Sequence, residues 1–356
     1  MKSIKKFLNH VFIDGLSGMA LGLFATLIVG TILGQIGSYI PGIIGTYIGY
    51  IATIAKSLMG AGIGVSIAAK FKYSPLVSVS GGVVGFIAAF SNNIVNGTFF
   101  NEAGGLAISG VGDPLSAFIA ALVAIEVGNL VSGKTKLDIL VTPLVTLSVG
   151  TIIAVLCGPY IYEVTAMMGD IIQFATEQQP FIMGILISVL MGIFLTLPIS
   201  SVAIAVIIGL SGIAGGAAVV GCSAQMVGFA VASYRENKVG GLISQGIGTS
   251  MIQMPNIVRK PIIWLPPIIT SAILGPISTC LLELSCDASG AGMGTSGLVG
   301  PLVTYSSMVE AGSEPYIVII EIICMLFIAP AILTLAISEG MRKLKLIKFG
   351  DMKLDY

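Results

Sequence analysis

Charge in this chain is confined to a few short clusters, and the intervals between them are long and apolar. Basic residues fall at Lys2, Lys5 and Lys6; Lys70 and Lys72; Lys134 and Lys136; Arg235 and Lys238; Arg259 and Lys260; and from Arg342 to Lys348 with Lys353 just beyond, while Lys56 stands alone inside an apolar run. Repeated apolar runs are long enough to cross a hydrocarbon layer of roughly 30 Å. Only 10% of the 356 residues are charged and the mean hydropathy is +1.02, where a soluble domain carries about 25% charged residues. These numbers leave one class, an all-α polytopic membrane protein occupying 1–356 as a single transmembrane domain.

Other classes are excluded by what is missing. Zero net charge and a pI near 6.6 argue against nucleic-acid binding. Cys157, Cys222, Cys280, Cys286 and Cys324 have no metal-ligand spacing and read as small apolar residues. We expect no metal and no cofactor. His10 is the only histidine and lies in the amino-terminal segment. The start "MKSIKKFLNH" resembles a signal-peptide n-region, but no A-x-A-like cleavage site follows, so the segment is expected to be retained.

Placing every basic cluster on the cytoplasmic side gives a consistent path of ten spans: about 13–35, 43–69, 74–91, 114–132, 139–160, 181–197, 200–214, 217–233, 262–284 and 316–338. Both termini, 1–12 and 340–356, are then cytoplasmic. "SNNIVNGTFFNEAGG" and "EVTAMMGDIIQFATEQQ" are expected to be outer loops.

Three segments do not fit as ordinary spans, and each is rich in glycine. Residues 239–258 contain "GIGTS" at 246–250, residues 287–308 contain "GAGMGTSGLVGP" at 290–301, and residues 101–113 run into "GVGDP" at 110–114. The first lies between two inner clusters and the second between two outward-facing ends, so both are expected to enter and leave by one face as re-entrant hairpins, and 101–113 is expected to dip likewise just ahead of span four. Broken chain at membrane depth is tolerated only where protein or a water-filled cavity surrounds it, and such interruptions point to a transporter's binding site. Small residues also serve helix packing, and "GIAGGAAVVG" at 212–221 reads that way. Packing does not require an adjacent Thr-Ser pair twice, so the two pentads are read as cavity-lining, through Gly248, Thr249, Ser250, Gly294, Thr295 and Ser296. "GVGDPLSAF" lacks the Lys-Ser/Thr of a P-loop, and no βαβ unit surrounds it.

Polar residues inside apolar runs mark function by default. Asp113 precedes Pro114, which suits a first helical turn. Glu126 is placed deep in span four, and Lys56 is a candidate partner for either acid. Gln225 in "GCSAQMVGF" suits a sugar hydroxyl or a partner helix. Gln253 and Asn256 share one face of the 239–258 segment, beside Gln245. Ser200 and Ser201 follow Pro198 at a break where a half-helix amino terminus offers free amides. Trp264 reads as an interface anchor, with stacking on a sugar ring as the alternative. A cavity of amides, hydroxyls and backbone groups, with one or two acids and no basic cluster, fits a neutral polyhydroxylated solute better than a phosphorylated or carboxylated one.

"GDPLSAFIAALVA", "LPISS", "GCSAQMVGFAVASYRENK", "QGIGTSMIQMPNI", "IIWLPPIITSAILGPI", "GAGMGTSGLVGP" and "FGDMKL" together resemble the IIC-type membrane proteins of the phosphotransferase system, closest to the branch that includes perfringolysin O regulator proteins. The resemblance covers essentially the whole chain. It implies a bacterial inner-membrane protein, a homodimer, with about ten spans and re-entrant hairpins around a sugar site. It also implies a IIB partner that phosphorylates the bound sugar, with a hairpin glutamate beside the accepting hydroxyl. The membrane histidine of some sugar-specific relatives is absent. The nearest matches to the glutamate are Asp113 and Glu102; Glu102 falls in an expected outer loop, so Asp113 is the candidate general base.

The expected function is therefore a permease-like IIC component that works with separate IIB and IIA proteins. Two alternatives stand beside it: a carrier of the same architecture without phosphoryl coupling, and a membrane sensor acting indirectly on toxin gene expression. A direct DNA-binding role is excluded, since the cytoplasmic segments hold no helix-turn-helix or extended basic helix.

Overall fold

The computed structural model describes residues 10–108 and 110–354. The amino-terminal basic segment at 1–9 lies outside the described residues. Among the described residues the structure is all-α, with one isolated antiparallel bridge, Phe100–Leu106. The chain divides into two compact units, Met1–Val164 and Thr165–Tyr356.

The first unit contains α1 (His10–Ser38), α2 (Ile43–Ser57), α3 (Met59–Lys70), α4 (Pro75–Ala89), the short α5 (Ser91–Val95), α6 (Pro114–Val131) and most of α7 (Asp138–Thr176). Turn chemistry fixes two of the helix starts. The Ser74 hydroxyl accepts from the Val77 amide ahead of Pro75, and the Asp113 carboxylate accepts from the Ser116 amide at 2.6 Å ahead of Pro114. A side-chain acceptor at the cap satisfies an orphan amide, and proline at the first position sacrifices none. α2 and α3 meet at a 53° bend.

Inside a bilayer, lipid tails are as apolar as leucine, so helices associate through close packing rather than hydrophobic burial. Glycine supplies that closeness here. A Cβ on Gly64 would collide with the Gly81 carbonyl, and one on Gly60 with the Gly85 carbonyl, so α3 and α4 run in backbone contact.

The second unit contains α8 (Pro180–Thr196), α9 (Ser201–Ile207), α10 (Gly212–Ala232), α11 (Tyr234–Ile243), α12 (Met254–Arg259), α13 (Leu265–Cys280), α14 (Ala288–Ala291), α15 (Val299–Glu310) and α16 (Pro315–Lys343). α10 is the spine: every residue from Gly215 to Ala230 is buried, as expected for a helix that is apolar all round. α8 and α13 pack against it and against each other at small residues. Gly221 lies against the Ser188 backbone, Gly275 lies against Gly184, and the Ser188 hydroxyl donates to the Ser271 carbonyl at 2.8 Å. The segment 212–221 is thus a packing surface.

Six helices among the described residues are long and apolar enough to cross a membrane, or seven if the bent α2–α3 pair is one span; α4 and α8 are shorter apolar helices. The expected span at 200–214 is not one helix. It is the seven-residue α9 followed by a turn in which Gly209 and Gly212 have positive φ. The expected outer loop after 160 is also corrected, because α7 continues helically to Thr176 through Pro143 and Pro159.

Candidate functional site

The amino-terminal pentad interrupts its segment. After α11 the chain passes through a π-turn at Ser244–Gly248, turns extended at Thr249 (φ −160°, ψ 144°), re-forms as a 3-10 turn at Ser250–Gln253 and continues into α12. Thr249 restarts the helix, its hydroxyl accepting from the Met251 amide at 3.2 Å. The carboxy-terminal pentad interrupts a second segment between α14 and α15. Gly294 adopts φ +53°, and a Cβ there would fall 2.8 Å from Cys222 of α10. Both requirements favour glycine.

The two pentads meet over α10. The Thr295 hydroxyl donates to the Gly246 carbonyl at 2.5 Å and lies 3.6 Å from the Met226 sulfur. Ser250 and Thr196 share a hydroxyl hydrogen bond of 2.8 Å. Thr196 also approaches the Gln225 side-chain oxygen at 3.5 Å, and Trp264 Nε1 donates to that same oxygen at 2.9 Å. Ser201 donates to the Gly292 carbonyl at 2.7 Å, tying α9 to the second pentad. Thr196, Gln225, Thr249, Ser250, Thr295 and Ser296 are all buried. Gln225 Nε2 and Ser296 Oγ are buried with no hydrogen-bond partner among the described residues. This cluster is polar and carries no ionised side chain.

Gln253 and Asn256 lie together, as their spacing predicts, and both reach the carboxy-terminal tail. Gln253 Nε2 donates to Gln245 Oε1 at 2.8 Å and to the Met352 carbonyl at 3.0 Å. Asn256 Nδ2 donates to Gln253 Oε1 and to the Lys353 carbonyl, each at 2.8 Å. An amide nitrogen has two protons, so each side-chain nitrogen spends one on the tail and one on a neighbouring glutamine. Asn237 completes the clamp, donating to Met352 O at 2.8 Å and accepting from the Leu354 amide at 2.9 Å. Lys260 pairs with Asp351. Burial pushes the Asp351 carboxyl up, but Lys260 and the Lys348 amide more than offset this and hold it below the usual carboxylate range.

In the first unit the two candidate acids are separated by 13 positions along α6, about 20 Å at 1.5 Å per residue. Asp113 caps α6, and its own amide donates to the Ala89 carbonyl at 2.8 Å. Glu126 lies in the carboxy-terminal part of α6. Its Oε1 accepts from His10 Nε2 at 2.8 Å and from the Tyr73 hydroxyl at 2.9 Å, beside the loop after α3, with 40% of the side chain exposed. His10 stacks on Phe71 at 3.8 Å. Burial, then the hydrogen bond and charge of Glu126, raise the Tyr73 pKa above its ordinary value. The partners of both acids are these groups, not Lys56. Ser200 is placed at the start of α9, where its carbonyl accepts from Ile204 N at 3.1 Å.

Thr196 was not distinguishable in the sequence, since it ends an apolar run with nothing to separate it from a back-bonding threonine. Trp264 carried a signal of a kind, being the only tryptophan.

Interrupted helices around a buried spine, in a chain with several membrane-length apolar helices, define an all-α polytopic membrane protein. A family model for the phosphotransferase system EIIC matches residues 13–354, nearly the whole chain. The chain belongs to that family and is a membrane sugar-transport component. No curated protein gives a match.

Proposed function

We propose that this chain binds and translocates a neutral sugar or polyol at the junction of the two pentads, as the EIIC subunit of a system whose phosphoryl group comes from separate IIB and IIA proteins. The observation that carries the reading is the Thr295–Gly246 hydrogen bond. It joins two separate interruptions of helical chain into one polar, uncharged cluster against α10. Broken chain needs surrounding protein or a hydrated cavity to satisfy its amides and carbonyls. The hydroxyls of Thr249, Ser250, Thr295 and Ser296, with Gln225 and Trp264, offer donors and acceptors matched to a polyol, and among the described residues the cluster holds no cation to balance an anionic solute. Ser201 and Gly248 shape the site, Ser201 through Gly292 and Gly248 through the turn. We place the protein in the bacterial inner membrane as a homodimer, with both termini cytoplasmic.

Asp113 is the general base that the family resemblance suggests, and it is also the cap of α6. Asparagine caps a helix as well as aspartate does, so Asp113→Asn separates the two roles. Loss of phosphorylated product with solute binding retained assigns the base to Asp113; unchanged product formation leaves it a cap.

The function is tested with inside-out membrane vesicles supplied with phosphoenolpyruvate, the general phosphotransferase proteins and candidate IIA/IIB pairs. Sugar phosphate should accumulate from at least one labelled neutral sugar or polyol. Uptake that proceeds without any phosphoryl donor would instead identify an uncoupled carrier. Neither uptake nor phosphorylation across the panel, beside a working control EIIC, rejects the reading.

A further inference from the structure

We infer that Gln225 is a specificity-determining residue whose side-chain N–H groups donate to one uncharged oxygen of the solute. The inference rests on the sugar-site reading above and goes further, assigning a single contact and its direction. An indole N–H can only donate. The Gln225 atom 2.9 Å from Trp264 Nε1 is therefore the carbonyl oxygen, and the amide cannot be flipped without setting donor against donor. Thr196, itself bonded to Ser250, approaches the same oxygen. With the oxygen held, the position of Nε2 is fixed as well. That nitrogen is buried and has no partner among the described residues.

The surroundings limit what completes it. Gln225 packs beside Gly192, where a Cβ would come within 2.9 Å of Gln225 Cγ, so glycine keeps room for the side chain. The second pentad crosses α10 at Cys222, Ser223 and Met226, in the same turns as Gln225, and brings Ser296 with its own unpartnered buried hydroxyl. A donor-only nitrogen, with an unpartnered hydroxyl in the adjoining pentad and no ionised side chain in the cluster, fits an acceptor oxygen on a neutral polyol. A site built to hydrogen-bond a solute oxygen discriminates strongly against an analogue lacking it, because the buried group is then left unmade.

Trp264 makes the contact measurable, because as the sole tryptophan its emission reports on the Gln225 oxygen and on any solute that arrives there. The experiment uses the full-length protein in nanodiscs, titrated with glucose, galactose, mannose, fructose, mannitol and glucitol, and then with the monodeoxy analogues of the tightest binder. In the native protein one monodeoxy analogue should bind at least tenfold more weakly than its parent, and parent binding should shift Trp264 emission. Gln225→Leu should weaken parent binding tenfold or more and erase the discrimination at that one position, leaving the other positions as they were. Gln225→Glu, which keeps the size and the oxygen facing Trp264, serves if the leucine variant does not fold; it should lose the same discrimination. Discrimination that survives in either folded variant means Nε2 meets only a fixed water, and overturns the inference while leaving the sugar site standing. Absence of binding by the native protein across the panel removes the site reading and this inference together.

Discussion

Asn256→Ala tests whether the carboxy-terminal tail is clamped by side-chain amides. The substitution removes two donors, leaving Gln253 Oε1 and the Lys353 carbonyl without the partners they hold at 2.8 Å. Leaving a buried acceptor unmade costs about 1–3 kcal/mol. Gln253 is fully buried and takes the upper part of that range, whereas Lys353 is exposed and its carbonyl is rehydrated. The sum is about 3 kcal/mol, or on the order of a hundredfold in the population of released tail. Cleavage of a transiently opened segment follows that population when closing is fast. Limited trypsin digestion in detergent, read by intact mass, should therefore cut at Lys348 and Lys353 on the order of a hundred times faster in the variant. Deletion of Asp351–Tyr356 should change the exchange of residues 244–256 in the same direction. A cleavage rate within threefold of the native protein, in a variant that keeps its native melting temperature, would refute the clamp.

Further outcomes follow from individual contacts. Asp113→Ala should lower stability by about 1 kcal/mol through loss of the α6 cap, with Asp113→Asn near native, both read as melting temperature in detergent. Gly64→Val places a side chain against the fixed Gly81 carbonyl and should destabilise by about 1–3 kcal/mol or more. Gly49→Val, where a Cβ meets nothing within 4 Å, should be close to neutral; equal effects would remove the packing argument. For the Lys260–Asp351 pair, the folded carboxyl is held below its unfolded value of 3.8, so its contribution is full above that value and is lost as pH falls through the depressed one. Hydrogen exchange of residues 348–354, corrected for the intrinsic rate, should accelerate on that acid limb, and Asp351→Asn should abolish the pH dependence.

What could be read in advance followed the range of the physics. Apolar runs and helix caps are local, so the membrane class, the start of α4 at Ser74-Pro75 and the start of α6 at Asp113-Pro114 were legible. So were the interruptions at both pentads, because Gly-x-Gly-Thr-Ser is a poor helix former wherever it falls. The continuation of α7 to Thr176 was not, since Pro143, Pro159 and a polar sequence after Tyr160 all argue locally for an end that the fold overrides. The bonds that engage Glu126 were not legible, because its partners, His10 and Tyr73, lie 116 and 53 positions away. Gln253 and Asn256 were correctly read as a pair, yet their partners in the tail lie 99 and 97 positions away, and no spacing rule reaches that far. The Trp264–Gln225 bond, which fixes the orientation of the amide, is hidden for the same reason.

The most direct measurement is a structure of the full-length protein in nanodiscs, determined with the neutral sugar or polyol that binds it. The account predicts solute density against α10 where the pentads meet, within hydrogen-bond distance of Gln225 Nε2 and Ser296 Oγ, with the chain non-helical at Thr249 and Gly294. Density at some other place, or continuous helix through residues 244–250 and 292–298, would contradict it.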